Sequence, residues 1–313
     1  MNIRMSADVD SVTSIPAKAR VTRRQVVLGG LGLGALGLSA TAGYATGIEP
    51  KSLVVTSYAL TPPGWPRGHR RTITVIADLH AGGPNMALDH IRQIVDVANL
   101  LKSDMTVLLG DYIATHRFVT EKVPHHVWAA ELGRLEAPLG VFAVLGNHDW
   151  WHGVADIRRA LEDAEIPVLE NDATLVDATP LGEPGRKFWL AGLGDQLAHK
   201  VGKGRYRGVD DLAGTLKQVT TDDPLILLAH EPDVFVKVPH RVALTLAGHT
   251  HGGQVRVPGL WKRMVPSSFG GRFAYGHIVE RNRHMIVSGG LGTSLIPVRL
   301  GVPPEVVRIE LGA

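Results

Sequence analysis

The chain has 313 residues, of which 44% are hydrophobic and 20% are charged, so it is long enough for one large or two small globular domains. It contains no cysteine, which excludes disulfide bonds, thiolate metal ligands and cysteine nucleophiles. The net charge of +3 comes from residues 1–42, and the remainder carries 28 basic and 28 acidic residues. We therefore expect no specific nucleic-acid partner.

The N-terminal segment has the pattern of an export signal. In "TRRQVVLGGLGLGALGLSATA", Arg23 and Arg24 precede a glycine-rich apolar run that ends in a small-x-small cleavage pattern. This pattern resembles a twin-arginine signal, so we expect the twin-arginine export machinery as a partner and the periplasm or cell envelope as the location. The predicted division is an export signal over 1–42, a linker over 43–50 and one domain over 51–313. The alternative for Val26–Ala42 is an uncleaved anchor that would leave the protein associated with the membrane or cell wall, although its many glycines make a poor span.

The rest of the chain alternates short apolar runs with amphipathic segments. The apolar runs predict buried strands at Ile73–Ala77, Met105–Leu109, Val141–Leu145, Phe188–Leu193, Leu225–Ala229 and Ala243–Ala247. The amphipathic segments predict helices at Met86–Leu101, His125–Leu135 and Val154–Ala164. The pattern indicates an α/β fold with a largely buried sheet. Residues 198–211 are expected to form a loop, and residues 261–276 a hairpin or lid.

Polar side chains follow five of these apolar runs directly. They are Asp78 and His80; Asp111; Asn147, His148 and Asp149; His230; and His249 and His251. Taken alone, each group has an ordinary explanation as a helix cap or a turn. Because ligands bind outside the carboxyl ends of strands in α/β sheets, all five groups together predict a single site.

The residue types indicate the chemistry of that site. A set of imidazoles, carboxylates and a carboxamide suits Mn, Fe or Zn, and it does not suit metals that prefer thiolate ligands. Seven candidate ligands are too many for one tetrahedral ion: Asp78, His80, Asp111, Asn147, His230, His249 and His251. A pair of divalent metal ions bridged by one carboxylate would use them all.

The ordered set Asp-x-His, Gly-Asp, Gly-Asn-His-Asp, a lone His and Gly-His-x-His resembles the calcineurin-like metallophosphoesterases, from about Leu53 to the C-terminus. The stretches "GNHDWW", "GHTHGGQVRVPG" and "GLGTSLIPVRLGVPPEVVRIEL" resemble an exported bacterial subgroup, the phosphodiesterase-like proteins of the cell envelope.

The resemblance implies a four-layer α-β-β-α sandwich with a dinuclear metal site at the carboxyl ends of the strands. One metal would be held by Asp78, His80, His251 and Asp111, and the other by Asn147, His230, His249 and the same Asp111, which bridges. His148 would face the leaving oxygen as a catalytic residue. Asp149 would orient the His148 imidazole and keep it cationic; its alternative is an N-cap for the helix that begins near Val154.

The function implied is metal-dependent hydrolysis of a phosphate ester, with hydroxide between the metals attacking phosphorus. One alternative is a pyrophosphohydrolase of a nucleotide-linked lipid or sugar diphosphate, which an export signal argues against. A second alternative is a non-catalytic metal-binding envelope protein, in which His148 would have no use. Two features of the sequence bear on the substrate without identifying it. Trp150 and Trp151 could stack on a base, cover a lipid chain or pack under the next helix. The basic residues between Lys200 and Arg207 could bind a second phosphate or be solvated.

Overall fold

The structure is a computed structural model that describes residues 36–179 and 186–312. The chain divides into two compact units, Met1–Ala42 and Gly43–Ala313. Most of the predicted export signal lies outside the described residues, and its residues 36–42 are helical. In the described part of the chain, no helix combines the length and the apolar character that crossing a bilayer requires.

The first sheet of the larger unit has five strands in the order β1-β13-β2-β3-β4. Their bounds are β1 Val54–Leu60, β2 Arg71–Ile76, β3 Met105–Leu108, β4 Val141–Ala143 and β13 Glu305–Leu311. Strands β2, β3 and β4 are parallel, β13 is antiparallel to β2, and β1 pairs in parallel with β13. All four side chains of β3 are buried, as expected for a strand covered on both faces.

The second sheet has six strands in the order β11-β12-β10-β9-β6-β5. Their bounds are β5 Asp172–Asp177, β6 Lys187–Gly192, β9 Leu225–Leu228, β10 Leu244–Ala247, β11 Gly276–Glu280 and β12 Arg283–Val287. Strands β6, β9, β10 and β12 are parallel, and the edge strands β5 and β11 are antiparallel to their neighbours. A separate hairpin is formed by β7 His199–Gly202 and β8 Arg205–Arg207.

Helices cover the outer faces of both sheets. From residue 88 onward, the α-helices in the described part of the chain are α1 Leu88–Leu100, α2 His125–Leu132, α3 Asn147–His152, α4 Val154–Asp163 and α5 Leu212–Lys217. One apolar core joins α1, α2 and α4 to the first sheet, a second lies between the sheets, and a third joins the second sheet to α5 and the 3-10 helix Pro232–Val236. This arrangement confirms the predicted four-layer α-β-β-α sandwich.

The structure differs from the sequence prediction in three segments. The predicted loop 198–211 contains the β7–β8 hairpin. The prediction of a hairpin at 261–276 is wrong, because this segment holds the 3-10 helices Trp261–Arg263 and Gly270–Phe273. The segment predicted as a linker packs on the domain, where the buried carboxylate of Glu49 accepts a hydrogen bond of 2.6 Å from Val302 N.

Candidate metal centre

The backbone at the strand ends is held in an uncommon conformation. Five of the seven predicted ligands have left-handed φ: Asp78 (51°), His80 (44°), Asp111 (57°), His249 (68°) and His251 (50°). Such a conformation costs a non-glycine residue of order 1–3 kcal/mol, and it persists only where the surrounding structure imposes it. The tight turns that follow β2, β3 and β10 therefore position these side chains, and the left-handed backbone of the turns destabilises the fold to some extent.

The structure brings the predicted ligands together in two buried groups. Asp78, His80 and His251 form one, and Asp111, His230 and His249 form the other, with the ligand atoms of each group within 4.8 Å of one another. This is the division that the family resemblance implied, so His249 and His251 do not converge on a single point. That these two groups bind metal stays a prediction.

Asp111, a member of the second group, also lies close to the first group. Its Oδ2 is 3.6 Å from His80 Nε2 and 3.3 Å from His230 Nε2. Asn147, the seventh predicted ligand, belongs to the second group because its Oδ1 lies 3.2 Å from His230 Nε2. One carboxylate thus faces imidazoles of both groups, as a bridging ligand must.

Backbone carbonyls fix the tautomers of two of the imidazoles. The Nδ1 of His80 is 3.0 Å from Ile113 O, and the Nδ1 of His230 is 2.6 Å from Leu109 O. A carbonyl only accepts, so each Nδ1 must carry the proton. His80 is then left with its Nε2 lone pair directed into the site, and His230 would be once it loses its second proton; this is how metal-ligating histidines are oriented by their outer partners.

The donor set fits divalent cations. Among the described residues, His249 Nε2 is buried and has no hydrogen-bond partner, although such atoms normally have one. The Nε2 atoms of His80 and His251 lie 3.1 Å apart, and Asp78 Oδ1 lies 3.7 Å from His251 Nε2. Imidazoles with shared carboxylates suit Mn, Fe or Zn.

The electrostatics of the second group favour opposite charges on Asp111 and His230. Burial disfavours the charged form of Asp111, but the imidazoles of His230 and His148 outweigh it and hold its pKa well below the ordinary value. Burial likewise opposes a charged His230, but the Asp111 carboxylate raises its pKa well above the ordinary value. In the first group, burial lowers the pKa of His80 to about 3, so this ligand is neutral at physiological pH.

His148 is placed beside the ligands without belonging to either group. Its backbone N–H donates to Asp111 Oδ1 at 2.8 Å, its Nδ1 hydrogen-bonds Thr115 Oγ1, and its Nε2 is 3.4 Å from Ser294 Oγ. Burial lowers the pKa of the His148 imidazole. The ring is thus held at Nδ1 by one hydroxyl, and its Nε2 has a longer contact with a second hydroxyl.

The structure does not support the predicted role of Asp149. Its carboxylate accepts hydrogen bonds from the backbone N–H groups of Gly146, Asp111 and Tyr112 at 2.8–2.9 Å. It therefore ties the turn after β4 to the turn after β3, and the hydrogen bond to His148 Nδ1 comes from Thr115 and not from Asp149. The alternative is also wrong, because Asp149 caps α3, in which it lies, and not the following helix. Asp149 is a positioning residue for the ligand loops.

The two tryptophans after the Gly-Asn-His-Asp stretch have different environments. Trp150 packs against the core under the helices. Trp151 donates its Nε1–H to Leu197 O at 2.9 Å and stacks on Tyr206 of the β7–β8 hairpin at 5.4 Å between ring centroids. The Trp151 ring is also 5.2 Å from the His148 ring. Trp151 therefore joins the hairpin to the site.

Sequence reasoning missed a buried cation behind the site, Arg299. Its guanidinium is fully buried and donates hydrogen bonds to the carbonyls of Gly289, Gly292 and Val302 at 2.6–3.0 Å. It also lies 3.3 Å from His251 Nδ1. Burial lowers its pKa to about 10, which leaves it charged at neutral pH. The available signal was an arginine within the apolar stretch "LIPVRLGV".

Comparison with protein families adds an observation independent of this geometry. The model of the calcineurin-like phosphoesterase family matches residues 71–253, a span of more than half of the chain that contains all seven predicted ligands. The chain belongs to the calcineurin-like phosphoesterase family. This calcineurin-like phosphoesterase is thus a phosphoester hydrolase, and membership implies divalent metals, for which the two buried groups are candidate sites.

Similar proteins extend the match to most of the chain. This phosphoesterase is 28% identical over 299 residues to the uncharacterized metallophosphoesterase YkuE of Bacillus subtilis, which covers 93% of this chain and 98% of that one. It is 30% identical over 265 residues to an uncharacterized metallophosphoesterase of Aquifex aeolicus, with coverage of 84% and 94%. Among solved structures, the NAD nucleotidase of Haemophilus influenzae superposes with a TM-score of 0.46 at 17% identity, covering 71% of this chain and 51% of that one. This chain thus spans about half the length of that structure.

Proposed function

We propose that this phosphoesterase hydrolyses phosphodiesters or phosphomonoesters at a centre of two divalent metal ions, after twin-arginine export to the periplasm or cell envelope. The observation that carries the proposal is the pair of buried ligand groups that share Asp111, with His148 beside them. The export pattern of residues 1–42 supports the location.

The chain's own residues would hold the metals as the geometry groups them. Asp78, His80 and His251 would hold one ion, Asn147, His230 and His249 the other, and Asp111 both. When bound, two such cations lower the pKa of a water toward neutrality and neutralise charge on the phosphoryl oxygens. Mn, Fe and Zn all accept this donor set.

His148 would stabilise the leaving group. Thr115 holds its Nδ1, so Nε2 is the atom that can donate a proton to the departing oxygen. Burial lowers the pKa of His148, so its protonated form is a stronger acid than free imidazole, but that form is less populated at neutral pH. A positioned general acid contributes roughly 10²- to 10⁴-fold to the rate.

Two alternatives make different demands on the site. A pyrophosphohydrolase of a nucleotide-linked lipid or sugar diphosphate would need a substrate found in the cytoplasm, which an export signal argues against. A non-catalytic metal-binding protein would have no use for the imidazole of His148, because that imidazole is in neither ligand group.

The experiment compares hydrolysis of bis-p-nitrophenyl phosphate, p-nitrophenyl phosphate and a UDP-linked diphosphate, each with and without added Mn. The proposal expects metal-dependent cleavage of the first or second substrate, whereas cleavage of the diphosphate alone would favour the pyrophosphohydrolase. The variant His148→Ala should lose roughly 10²- to 10⁴-fold in turnover and keep its bound metal. Normal turnover in this variant would remove His148 from the mechanism, and a wild-type protein that binds metal but cleaves none of the substrates would favour the binding protein.

A further inference from the structure

An exposed apolar loop lies next to the candidate catalytic histidine. Leu295 is 79% exposed, and Ile296 after it is exposed as well. Leu295 also has a left-handed φ of 62°, which is costly for a bulky residue. The residue before it, Ser294, places its Oγ 3.4 Å from His148 Nε2. The fold therefore holds a leucine in water at the side of the site that His148 faces.

A second exposed apolar segment, residues 256–264, is attached to this loop. Its side chains Leu260 and Met264 are 54% and 63% exposed. The side-chain amide of Gln254, just before the segment, donates to Ser294 O and Ile296 O at 3.0 Å each. The Arg256 N–H donates to Leu300 O at 2.8 Å. These bonds join the two segments into one surface beside His148.

A third segment reaches His148 through an aromatic stack. Val201 and Tyr206 are exposed on the β7–β8 hairpin, and Tyr206 stacks on Trp151, whose ring is 5.2 Å from that of His148. Lys200 Nζ lies over the same Trp151 ring at 3.7 Å from its centroid. The hairpin therefore carries apolar and basic side chains, and it is linked to His148 through the rings of Tyr206 and Trp151.

The charge of these three segments is one-sided. Residues 199–207, 256–264 and 294–296 contain seven lysines and arginines and no aspartate or glutamate. The chain beyond residue 42 is formally neutral overall, so this concentration is not a property of the whole domain. Lys203, Lys262 and Arg263 are exposed among the apolar side chains. A surface that mixes exposed leucine and methionine with exposed cations matches the boundary between the headgroups and acyl chains of an anionic bilayer.

We propose that these three segments form a docking surface for an anionic phospholipid membrane. Leucine and methionine side chains enter the acyl boundary, and the lysines and arginines bind lipid phosphates. A soluble polyanion would use the cations but would leave Leu295 and Met264 in water. The surface is distinct from the predicted N-terminal signal, and its binding can be measured without turnover.

The test is co-sedimentation of the full chain with vesicles of phosphatidylcholine alone or mixed with phosphatidylglycerol. We expect binding to the anionic vesicles, and we expect Leu295→Ser and Met264→Ser each to weaken it about tenfold through the lost apolar burial. Lys262→Gln should weaken it about fivefold. The matched controls are Leu100→Ser on α1, where the leucine is 77% exposed, and the exposed Lys102→Gln, and both should bind as the wild type does. The N-terminal segment is the same in every variant, so it cannot explain a difference between them.

Equal binding by Leu295→Ser and Leu100→Ser would overturn the proposal. So would binding that a soluble polyanion abolishes equally in the wild type and in Leu295→Ser, because a purely electrostatic site would then be the answer. Circular dichroism of each variant confirms that it is folded. Hydrolysis of bis-p-nitrophenyl phosphate by the wild type in vesicle-free solution tests the proposed function separately, so either proposal can fail without the other.

Discussion

At the scale of single residues, Asp111 and His230 of the second candidate group form a charge pair that would compete with metal binding. The raised pKa of His230 keeps a proton on the imidazole beside Asp111, and a metal ligand must be the neutral ring. Binding of the metal must therefore displace this proton. Since the proton is held more tightly than on free imidazole, we predict that apparent metal affinity falls as the pH is lowered through and below neutrality.

The measurement is isothermal titration calorimetry with Mn in two buffers of different ionisation enthalpy at the same pH. We expect the heats observed in the two buffers to differ by an amount that corresponds to about one proton released from the second group. Identical heats in both buffers, together with an affinity that is flat with pH, would show that His230 is already neutral. The variant His90→Gln removes a histidine outside both groups and should leave the proton release unchanged.

Arg299 is a residue at which we predict a large loss of stability. The variant Arg299→Met would leave the carbonyls of Gly289, Gly292 and Val302 without their buried donor, and the carboxylate of Asp78 without a nearby cation. We expect the free energy of unfolding to fall by about 3 kcal/mol or more. Urea denaturation gives this value, and Arg159→Met, on the exposed side of α4, should change it by about 0.5 kcal/mol or less. Similar small losses in both variants would mean that Arg299 is dispensable for the fold.

The residue types of the site could be predicted from the sequence, but the groups that hydrogen-bond to His148 and Asp149 could not. Asp78, Asp111 and His249 come directly after apolar runs, so their position at a strand end follows from local pattern. Thr115 and Ser294 reach His148 from positions 33 and 146 residues away, a contact that no local pattern in the sequence shows. Asp149 was predicted at the right place and with the wrong partner, because sequence adjacency to His148 does not show that three backbone N–H groups converge on its carboxylate.

At the scale of elements, the turns that end the strands pack so closely that they leave no room for added atoms. Gly146, in the turn after β4, is the clearest position. A Cβ at this residue would lie 2.7 Å from both Asp111 N and His230 Cε1 and would also meet Asp111 Oδ1. These contacts are well inside van der Waals distance, and the atoms involved belong to two predicted ligands.

We therefore predict that Gly146→Ala weakens metal binding by about tenfold or more, because either ligand must move to admit the methyl group. Metal titration of the full chain measures the change. Gly47→Ala provides the control, because a Cβ there meets nothing within 4 Å. An unchanged metal affinity in Gly146→Ala would show that the turn is more compliant than the structure indicates.

The elements that the sequence predicted well are those with a strong local period or a continuous apolar run. The predicted helix Val154–Ala164 is observed as Val154–Asp163, and the predicted strand Leu225–Ala229 as Leu225–Leu228. Strands β1 and β13 were not predicted, because polar residues interrupt the apolar ones in both and neither has a regular alternation. They pair with each other across about 250 residues. The β11–β12 hairpin was missed for another reason. Its turn uses Arg281 and Asn282 at positive φ, in place of the Asn-Gly pair that signals such a turn.

At the scale of the whole molecule, the two sheets bring their strand ends to one place. The predicted ligands come from β2, β3 and β4 of the first sheet and from β9 and β10 of the second, with one apolar core between the sheets. Residue patterns alone indicated a buried sheet, and the two-sheet sandwich followed only from the resemblance to a family. Periodicity shows that a strand is buried on both faces, but it does not show whether a helix or another sheet covers it.

Metal binding should also couple the two halves of the sandwich. Each ion would bind the native state and not the unfolded chain, and a ligand at about 100 times its dissociation constant adds about 2.7 kcal/mol to the free energy of unfolding. We therefore expect removal of metal with a chelator to lower the melting temperature by several degrees, and readdition of Mn to restore it.

The most direct test of the dinuclear centre is elemental analysis of the purified full chain, with hydrolysis of bis-p-nitrophenyl phosphate measured on the same sample before and after chelation. We predict two divalent ions per chain, loss of both ions and of hydrolysis on chelation, and recovery of metal and hydrolysis with Mn. A chain that takes up no metal even after reconstitution would contradict it, because the two buried groups around Asp111 would then have to be explained by hydrogen bonding alone.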